Sequence, residues 1–421
     1  MPILIKPAPL KGCIAAIPSK ADAHRKIISA ALAEKPTIVS PQPQGNDIDA
    51  TIASLVQLGA NIQAQAGGLL ITPITPTEFL PLINCQESGA TLRFLLPLAA
   101  ALVDRADFTG RGHLAARPLA GLINVLKEHG ISFSSEKLPF RICGHLEGGL
   151  YRLPGHISSQ YISGLLFALP LTNLNSTLLL TSAIQAPGYV HLTLATLRDF
   201  GINILQEGNS YLITGCQHYQ SPGNLELNGD WSNAAFFLTS GALAGPVSIQ
   251  GLSLNSHEPD KDIINHLVAF GAKVEIKNKT VTVHRGNLCG QEIDIAPIAD
   301  LAPVLAVLGA LAEGRTVLKN AMRLRYKESD RLHSITTLLT ALGARIVNHN
   351  DSLIIEGTDK LRGGEVRCHG DHRIVMAAAV AASACQQMVI IRDADAVNKS
   401  YPNFFADYRS LGGNAITVQL A

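Results

Sequence analysis

The chain has 421 residues, 47% of them hydrophobic and 16% charged. That is enough apolar side chain to exclude a disordered chain, and the length exceeds one ordinary core, so two folded domains are expected. The formal net charge of +1 excludes a global field that draws the chain to nucleic acid, so any bound anion has to be met by a local cluster of cations.

Met1–Lys6 has no long apolar stretch followed by a small-residue cleavage site, and no signal or transit peptide is read there. Pro18-Ser19-Lys20-Ala21-Asp22-Ala23-His24-Arg25 leads into a helix expected from Lys26. Ser and Lys at a helix start suit a phosphate, because free amides and the helix dipole point the same way. An ordinary capped helix with solvated charges fits these residues equally well. In Glu87-Ser88-Gly89-Ala90-Thr91-Leu92-Arg93, Gly89 permits close backbone approach before a helix start, or makes a simple turn. Thr109-Gly110-Arg111-Gly112-His113 contains GxG but is no dinucleotide fingerprint: the third Gly is missing and Arg111 occupies the turn. Ser158, Ser159 and Gln160 offer adjacent hydroxyls and an amide, as a ligand site or a polar turn would.

Arg323-Leu324-Arg325-Tyr326-Lys327-Glu328-Ser329-Asp330-Arg331-Leu332 carries a charge density usual for a solvated surface, yet it lies between two apolar helical stretches. Asp371-His372-Arg373 precedes an alanine-rich run from Ile374 to Cys385, too short to span a bilayer and better read as a buried helix. Asn398-Lys399-Ser400-Tyr401-Pro402 follows. The seven cysteines form no CxxC pair, which predicts reduced thiols in a cytoplasmic protein and no structural zinc.

A helical stretch ending in Gly and followed by a β-like run recurs six times. The glycines are at 59, 130, 201, 271, 343 and 412, separated by 71, 71, 70, 72 and 69 residues. Each is expected to turn the backbone left-handed at a helix end before a strand begins. A second helix, rich in Ala and Leu, runs into a strand at Gly241–Ile249 and again at Gly309–Val317. Such helices lack a polar face and belong inside a core, which argues against a solenoid and for two groups of three units with buried helices and outer strands.

Taken together and in this order, Lys20 with Arg25, Ser158-Ser159-Gln160, Lys327-Glu328-Ser329-Asp330-Arg331-Leu332 and Asp371-His372-Arg373 resemble the 5-enolpyruvylshikimate-3-phosphate synthase family over nearly the whole chain. The resemblance implies the two-domain α/β enolpyruvyl transferase fold, with six repeated βαβαββ-like units. It puts residues 20–228 in an amino-terminal domain and residues 1–19 with 229–421 in a carboxy-terminal one, with substrates bound between them. It implies transfer of the enolpyruvyl group of phosphoenolpyruvate to the 5-hydroxyl of shikimate 3-phosphate, with release of phosphate through a tetrahedral intermediate. No metal or organic cofactor, nucleic acid or membrane is involved, and the family leads to the expectation of a cytoplasmic monomer. Two phosphates and two carboxylates meeting in one place explain the concentration of cations.

By the same resemblance, Lys20, Gly89, His113, Gln160, Arg331, Arg373 and Lys399 would hold phosphoenolpyruvate. Lys20, Arg25, Ser158, Ser159, Gln160, Tyr189, Asp300 and Lys327 would hold shikimate 3-phosphate, with Arg117 a further cation of the amino-terminal half. Lys20, Asp300 and Glu328 would be catalytic: Asp300 helps remove a hydroxyl proton and Glu328 protonates the methylene carbon. The chain departs from the family pattern at Pro18, Ala21, His113, Ala186 and Arg323, where the family has Gly, Ser, Arg, Ser and Asn. The sister UDP-N-acetylglucosamine enolpyruvyl transferases carry a Cys in the loop near Gly110–Gly112, which this chain lacks, and do not have the Lys327–Arg331 segment. A non-catalytic binding protein on the same fold would be expected to lose such clustered charges.

Overall fold

Each repeat of about seventy residues folds as one four-stranded sheet and two helices. The computed structural model describes residues 1–75 and 79–418. It divides into two units, Pro18–Leu227 and Met1–Ile17 with Asn228–Ala421. Three sheets belong to each unit, and all six share one pattern, an edge strand parallel to its neighbour followed by two antiparallel pairings. In the first unit the parallel pairs are Asn224–Glu226 on Thr37–Ser40, Leu82–Asn84 on Arg105–Thr109, and Leu150–Pro154 on Ser176–Ser182. In the second they are Gly12–Ala15 on Val247–Gln250, Glu292–Asp294 on Arg315–Lys319, and Gly364–Val366 on Val389–Ile391. The first strand of the chain, Ile3–Lys6, lies inside the last sheet, between Val389–Ile391 and Asn414–Thr417. The chain's start therefore folds with its second half.

Twelve α-helices are present among the described residues, two per repeat. Six are buried nearly all round. They are α1 (Lys20–Leu32), α3 (Gly89–Leu102) and α5 (Ser159–Ala168) in the first unit, and α7 (Trp231–Leu243), α9 (Ala302–Ala310) and α11 (His372–Ser383) in the second. The others bury a single stripe: α2 (Asn46–Gln57), α4 (Ala120–Lys127), α6 (Pro187–Asp199), α8 (Ile263–Phe270), α10 (Arg331–Ala341) and α12 (Phe404–Ser410). Alanine is why the inner helices approach closely: α7, α9 and α11 pack on one another, and every residue of α11 is buried. Leu, Ile and Phe between them supply the apolar burial, each worth about 1.5–3 kcal/mol. No helix among the described residues is long and apolar enough to cross a membrane.

All six repeat glycines have positive φ, from 74° to 104°. The left-handed turn between helix and strand is thus the same device six times, and a side chain there costs about 1–2 kcal/mol.

One boundary differs from the sequence reading. Helix α1 begins at Lys20 and not at Lys26, because the Ser19 hydroxyl accepts from the Asp22 amide at 3.1 Å and caps it there. Lys20 and Arg25 are therefore helical residues. The segments around Lys20, Gly89, Ser158, Asp300 and Asp371 sit at or just before the first turns of buried helices, whereas Arg323–Leu332 leads into α10 and Asn398–Pro402 precedes α12, and this is how the fold positions the candidate site.

Candidate active site

In the first unit, three buried helices start with a serine cap. Ser19, Ser88 and Ser158 accept from the amides of Asp22, Thr91 and Gln160. At α3 the cap satisfies the third amide and leaves those of Gly89 and Ala90 at the helix end, where an anion is favoured. Two guanidinium groups stand over that end. A Cβ added to Gly89 would lie 2.7 Å from Arg117 Nη1 and 2.8 Å from Arg93 Nη1. Glycine is therefore what lets cations and backbone share this space. Arg93 Nη1 donates to Gln160 Oε1 at 2.7 Å, and its guanidinium lies 5.7 Å from the Tyr161 ring centroid. This contact depends on Gly164, whose Cβ would stand 2.2 Å from the Arg93 carbonyl oxygen. Without a side chain there, α5 lies close on α3, and Gln160 reaches Arg93.

Arg25 is buried and held by three groups. Its Nε donates to Thr193 Oγ1 at 2.8 Å, and its Nη1 and Nη2 donate to the Ala21 and Tyr189 carbonyls. Its guanidinium also lies 5.9 Å from the Tyr189 ring centroid, so these two expected residues are brought together. Lys20 donates to Asp47 Oδ2 at 2.9 Å. His113 is exposed on the 3-10 turn Gly112–Ala116, while Arg117, just past the turn, is the residue that stands at Gly89. Ala186 occupies the N-cap position of α6 and makes no side-chain cap bond.

In the second unit the charges form one network around Asp300, which sits just before α9. Asp300 Oδ1 accepts from Lys327 Nζ at 3.1 Å and Arg331 Nη1 at 2.7 Å, and its Oδ2 lies 3.1 Å from Arg373 Nη2. Arg331 also donates to Glu328 Oε2 at 2.6 Å and to Asp371 Oδ2 at 2.8 Å. Asp371 accepts from Ser329 Oγ as well, and its other oxygen caps α11 through the Arg373 amide. Three cations thus face three carboxylates, with the Arg331 side chain 1% and that of Arg373 3% exposed. Arginine suits such a node because its fork gives each carboxylate its own donor.

The field in this network is directional. Burial alone would raise the Asp300 carboxyl, but Arg373, Lys327 and Arg331 together hold it well below the usual carboxylate range. Burial pushes the Lys327 ammonium below its ordinary value in spite of Asp300 beside it. Arg331 is buried too, yet Asp371, Glu328 and Asp300 keep it firmly charged. Lys399 is buried at the end of the 3-10 segment Ala394–Lys399, and the next residue, Ser400, donates to the Asn233 side chain of α7. Among the described residues, no three His, Cys, Asp or Glu side chains are grouped to hold a metal ion.

Sequence reasoning gave no role to Asp47, Thr193, Arg93 or Asp371. Arg93 carried a signal, since it lies one turn after Gly89 on the same helix. Asp47 carried none, because only packing brings it to Lys20.

The geometry is matched by likeness to known proteins. A family model described as EPSP synthase (3-phosphoshikimate 1-carboxyvinyltransferase) matches residues 4–408. A 3-phosphoshikimate 1-carboxyvinyltransferase of Clostridium perfringens is 41% identical over 417 residues, covering 98% of each chain. One from Clostridium kluyveri is 39% identical, covering 98% of this chain and 97% of that one. The EPSP synthase structure from Acinetobacter baumannii superimposes with a TM-score of 0.82 at 26% identity, over 99% of this chain and 100% of the other. The enolpyruvyl transferase NikO from Streptomyces tendae, at 18% identity and a TM-score of 0.83, shares the fold over 100% of this chain and 99% of its own. With the family model spanning nearly all of the chain and full-length relatives near 40% identity, the chain belongs to the EPSP synthase family.

Proposed function

We propose that this chain transfers the enolpyruvyl group of phosphoenolpyruvate to the 5-hydroxyl of shikimate 3-phosphate and releases phosphate. The observation that carries the reading is the balanced network around Asp300, in which carboxylates and cations are held within hydrogen-bond reach in a buried place. A decayed site has no reason to keep three cations, two of them buried arginines, and three carboxylates in register.

Both charged sets serve the one reaction. Phosphoenolpyruvate takes its cations from Lys20, Arg117, Arg331, Arg373 and Lys399, with the Gly89 amide and Gln160 beside them. Shikimate 3-phosphate is held by Arg25, Ser158, Ser159, Gln160, Tyr189 and Lys327. Asp300 stays ionised because its cations hold it so. It accepts a hydrogen bond from the 5-hydroxyl, and the Asp300–Lys327 pair takes up the proton as the oxygen attacks C2. In the network Arg331 pairs with Glu328. An anionic substrate that competes for Arg331 releases Glu328 to carry the proton it gives to the methylene carbon. The tetrahedral adduct then returns a proton from its new methyl group to the Glu328 carboxylate as phosphate leaves, which restores the double bond. Burial supports the electrostatic part of this chemistry, since fixed donors act most strongly where water is scarce.

The seven cysteines are unpaired, which supports a cytoplasmic enzyme acting on free small molecules, and we take it to work as a monomer. The test is phosphate release: it requires both phosphoenolpyruvate and shikimate 3-phosphate. Release with UDP-N-acetylglucosamine, and none with shikimate 3-phosphate, overturns the assignment.

A further inference from the structure

A buried polar chain runs behind the first unit's cation set and touches no charged member of it through its own hydroxyls. His24 Nδ1 lies 2.8 Å from Thr51 Oγ1, Thr51 Oγ1 lies 2.7 Å from Thr91 Oγ1, and Thr91 Oγ1 donates to Ser88 Oγ at 2.7 Å. Thr51, Thr91 and Ser88 are fully buried and His24 is 1% exposed. Four polar groups in an apolar interior cost stability unless each is bonded, so the chain is a specific arrangement and not a chance contact.

Its members sit at fixed offsets from residues of the candidate site. His24 is one helical turn after Lys20 on α1. Thr51 is one turn after Asp47 on α2, and Asp47 holds Lys20. Thr91 is on α3, two residues after Gly89, and both its amide and its hydroxyl donate to the Ser88 cap. Helix α2 therefore carries two rungs to α1, Lys20–Asp47 and His24–Thr51, and passes one on to α3.

We infer that the His24–Thr51–Thr91 chain positions Lys20 against the Gly89 helix end, so that the ammonium and the two α3 amides meet the same phosphoenolpyruvate anion. Because Thr91 donates its hydroxyl hydrogen to Ser88, Thr51 donates to Thr91, and Thr51 Oγ1 receives a hydrogen from His24 Nδ1. The ring is then neutral with its proton on Nδ1, and Nε2 has no partner among the described residues. The surroundings favour that state: burial pushes His24 down to about 3, Lys20 and Arg25 push the same way, and only Asp47 opposes them. A ring that cannot charge in the working range is a fixed spacer and not a proton carrier.

The inference rests on the assignment of Lys20 and Gly89 to phosphoenolpyruvate, so Lys20→Met is made in parallel. Thr51→Val keeps the shape and removes the hydroxyl that links both partners. It should raise KM for phosphoenolpyruvate about 10-fold, the effect of one broken buried hydrogen-bond link, with KM for shikimate 3-phosphate changed much less. Thr51→Ser, which restores the hydroxyl, should return KM toward wild type. Should Thr51→Val not fold, His24→Asn, too short to reach Thr51, is read in the same way. A Thr51→Val enzyme with lowered Tm but wild-type KM for phosphoenolpyruvate, measured well below Tm, reduces the chain to a stability element and overturns the positioning role. If Lys20→Met retains wild-type kinetics, the assignment beneath it fails instead.

Discussion

Asp300→Asn is the substitution on which the reading of the second unit turns most directly. The side chain keeps its size, but the network loses one of three negative charges against Lys327, Arg331 and Arg373. The amide has one acceptor oxygen, so at most one side of the Asp300 fork is kept. Breaking a fully buried ion pair costs about 3–5 kcal/mol. Here the Asp300 side chain is 21% exposed and Arg331 retains Glu328 and Asp371, so a loss of about 1–3 kcal/mol is expected. The linkage has a definite sign. The folded-state carboxyl is depressed, so its contribution is present above its unfolded value of about 3.9 and is lost as pH falls below that. The Tm gap between wild type and Asp300→Asn should therefore be full near pH 6 and close as the solution is acidified. Catalytically, kcat should fall about 10²–10⁴-fold, the usual effect of removing a general base. KM for phosphoenolpyruvate should not rise, because the network has become more positive toward an anion. Steady-state kinetics with each substrate varied, and thermal melts from neutral to acid pH, measure both. A kcat within a few-fold of wild type, or a KM for phosphoenolpyruvate that rises as steeply as kcat falls, refutes the role given to Asp300.

Four other substitutions probe separate parts of the site. Glu328→Gln should bind both substrates normally and lose about 10²–10⁴-fold in kcat; binding isotherms beside turnover rates decide whether Glu328 is the proton donor. Gly89→Ala places a methyl where Arg93 and Arg117 stand; the arginine tips can swing aside, so Tm should hardly move while KM for phosphoenolpyruvate rises about 10-fold, as for a displaced charge-assisted hydrogen bond. Arg117→Ala should raise that same KM at least as much, whereas His113→Ala should leave kinetics within about two-fold, in keeping with an exposed side chain; equal effects of the two would return His113 to the site.

How far the sequence reaches can be followed residue by residue. The repeat was legible because its glycines are forced by a positive φ and its inner helices by the absence of a polar face, both local properties. The segment from Arg323 to Leu332 was legible because charge packed between apolar stretches has to be explained. Partner identity was not. Asp300 meets Lys327, Arg331 and Arg373 across 27, 31 and 73 residues, and nothing in the spacing announces those meetings. The distinction between His113 and Arg117 was also out of reach, since they lie four residues apart and only the path of the turn puts one of them at Gly89. The start of α1 was misplaced because a Ser–Lys pair reads as loop until its hydroxyl is seen capping the helix.

The two units use the same helix ends in opposite ways. In the first, the caps of α1, α3 and α5 are serines, neutral groups that consume one amide each and leave the positive helix end open. Cations are then added around those ends, Arg93 and Arg117 at α3 and Lys20 on the first turn of α1, an arrangement that favours negative charge. In the second, the residues at the ends of α7 and α11 are Asp230 and Asp371, and Asp300 stands just before α9. A carboxylate there is stabilised by the helix dipole, and in turn fixes Arg331 and Arg373 where they could not stay charged alone. That unit holds cations and carboxylates together on one scaffold. A repeated sheet-and-helix unit thus sets neutral serine caps among cations in one half and places carboxylates at or just before its helix ends in the other, Asp300 preceding α9 rather than capping it, so that the two halves differ in charge more than in fold.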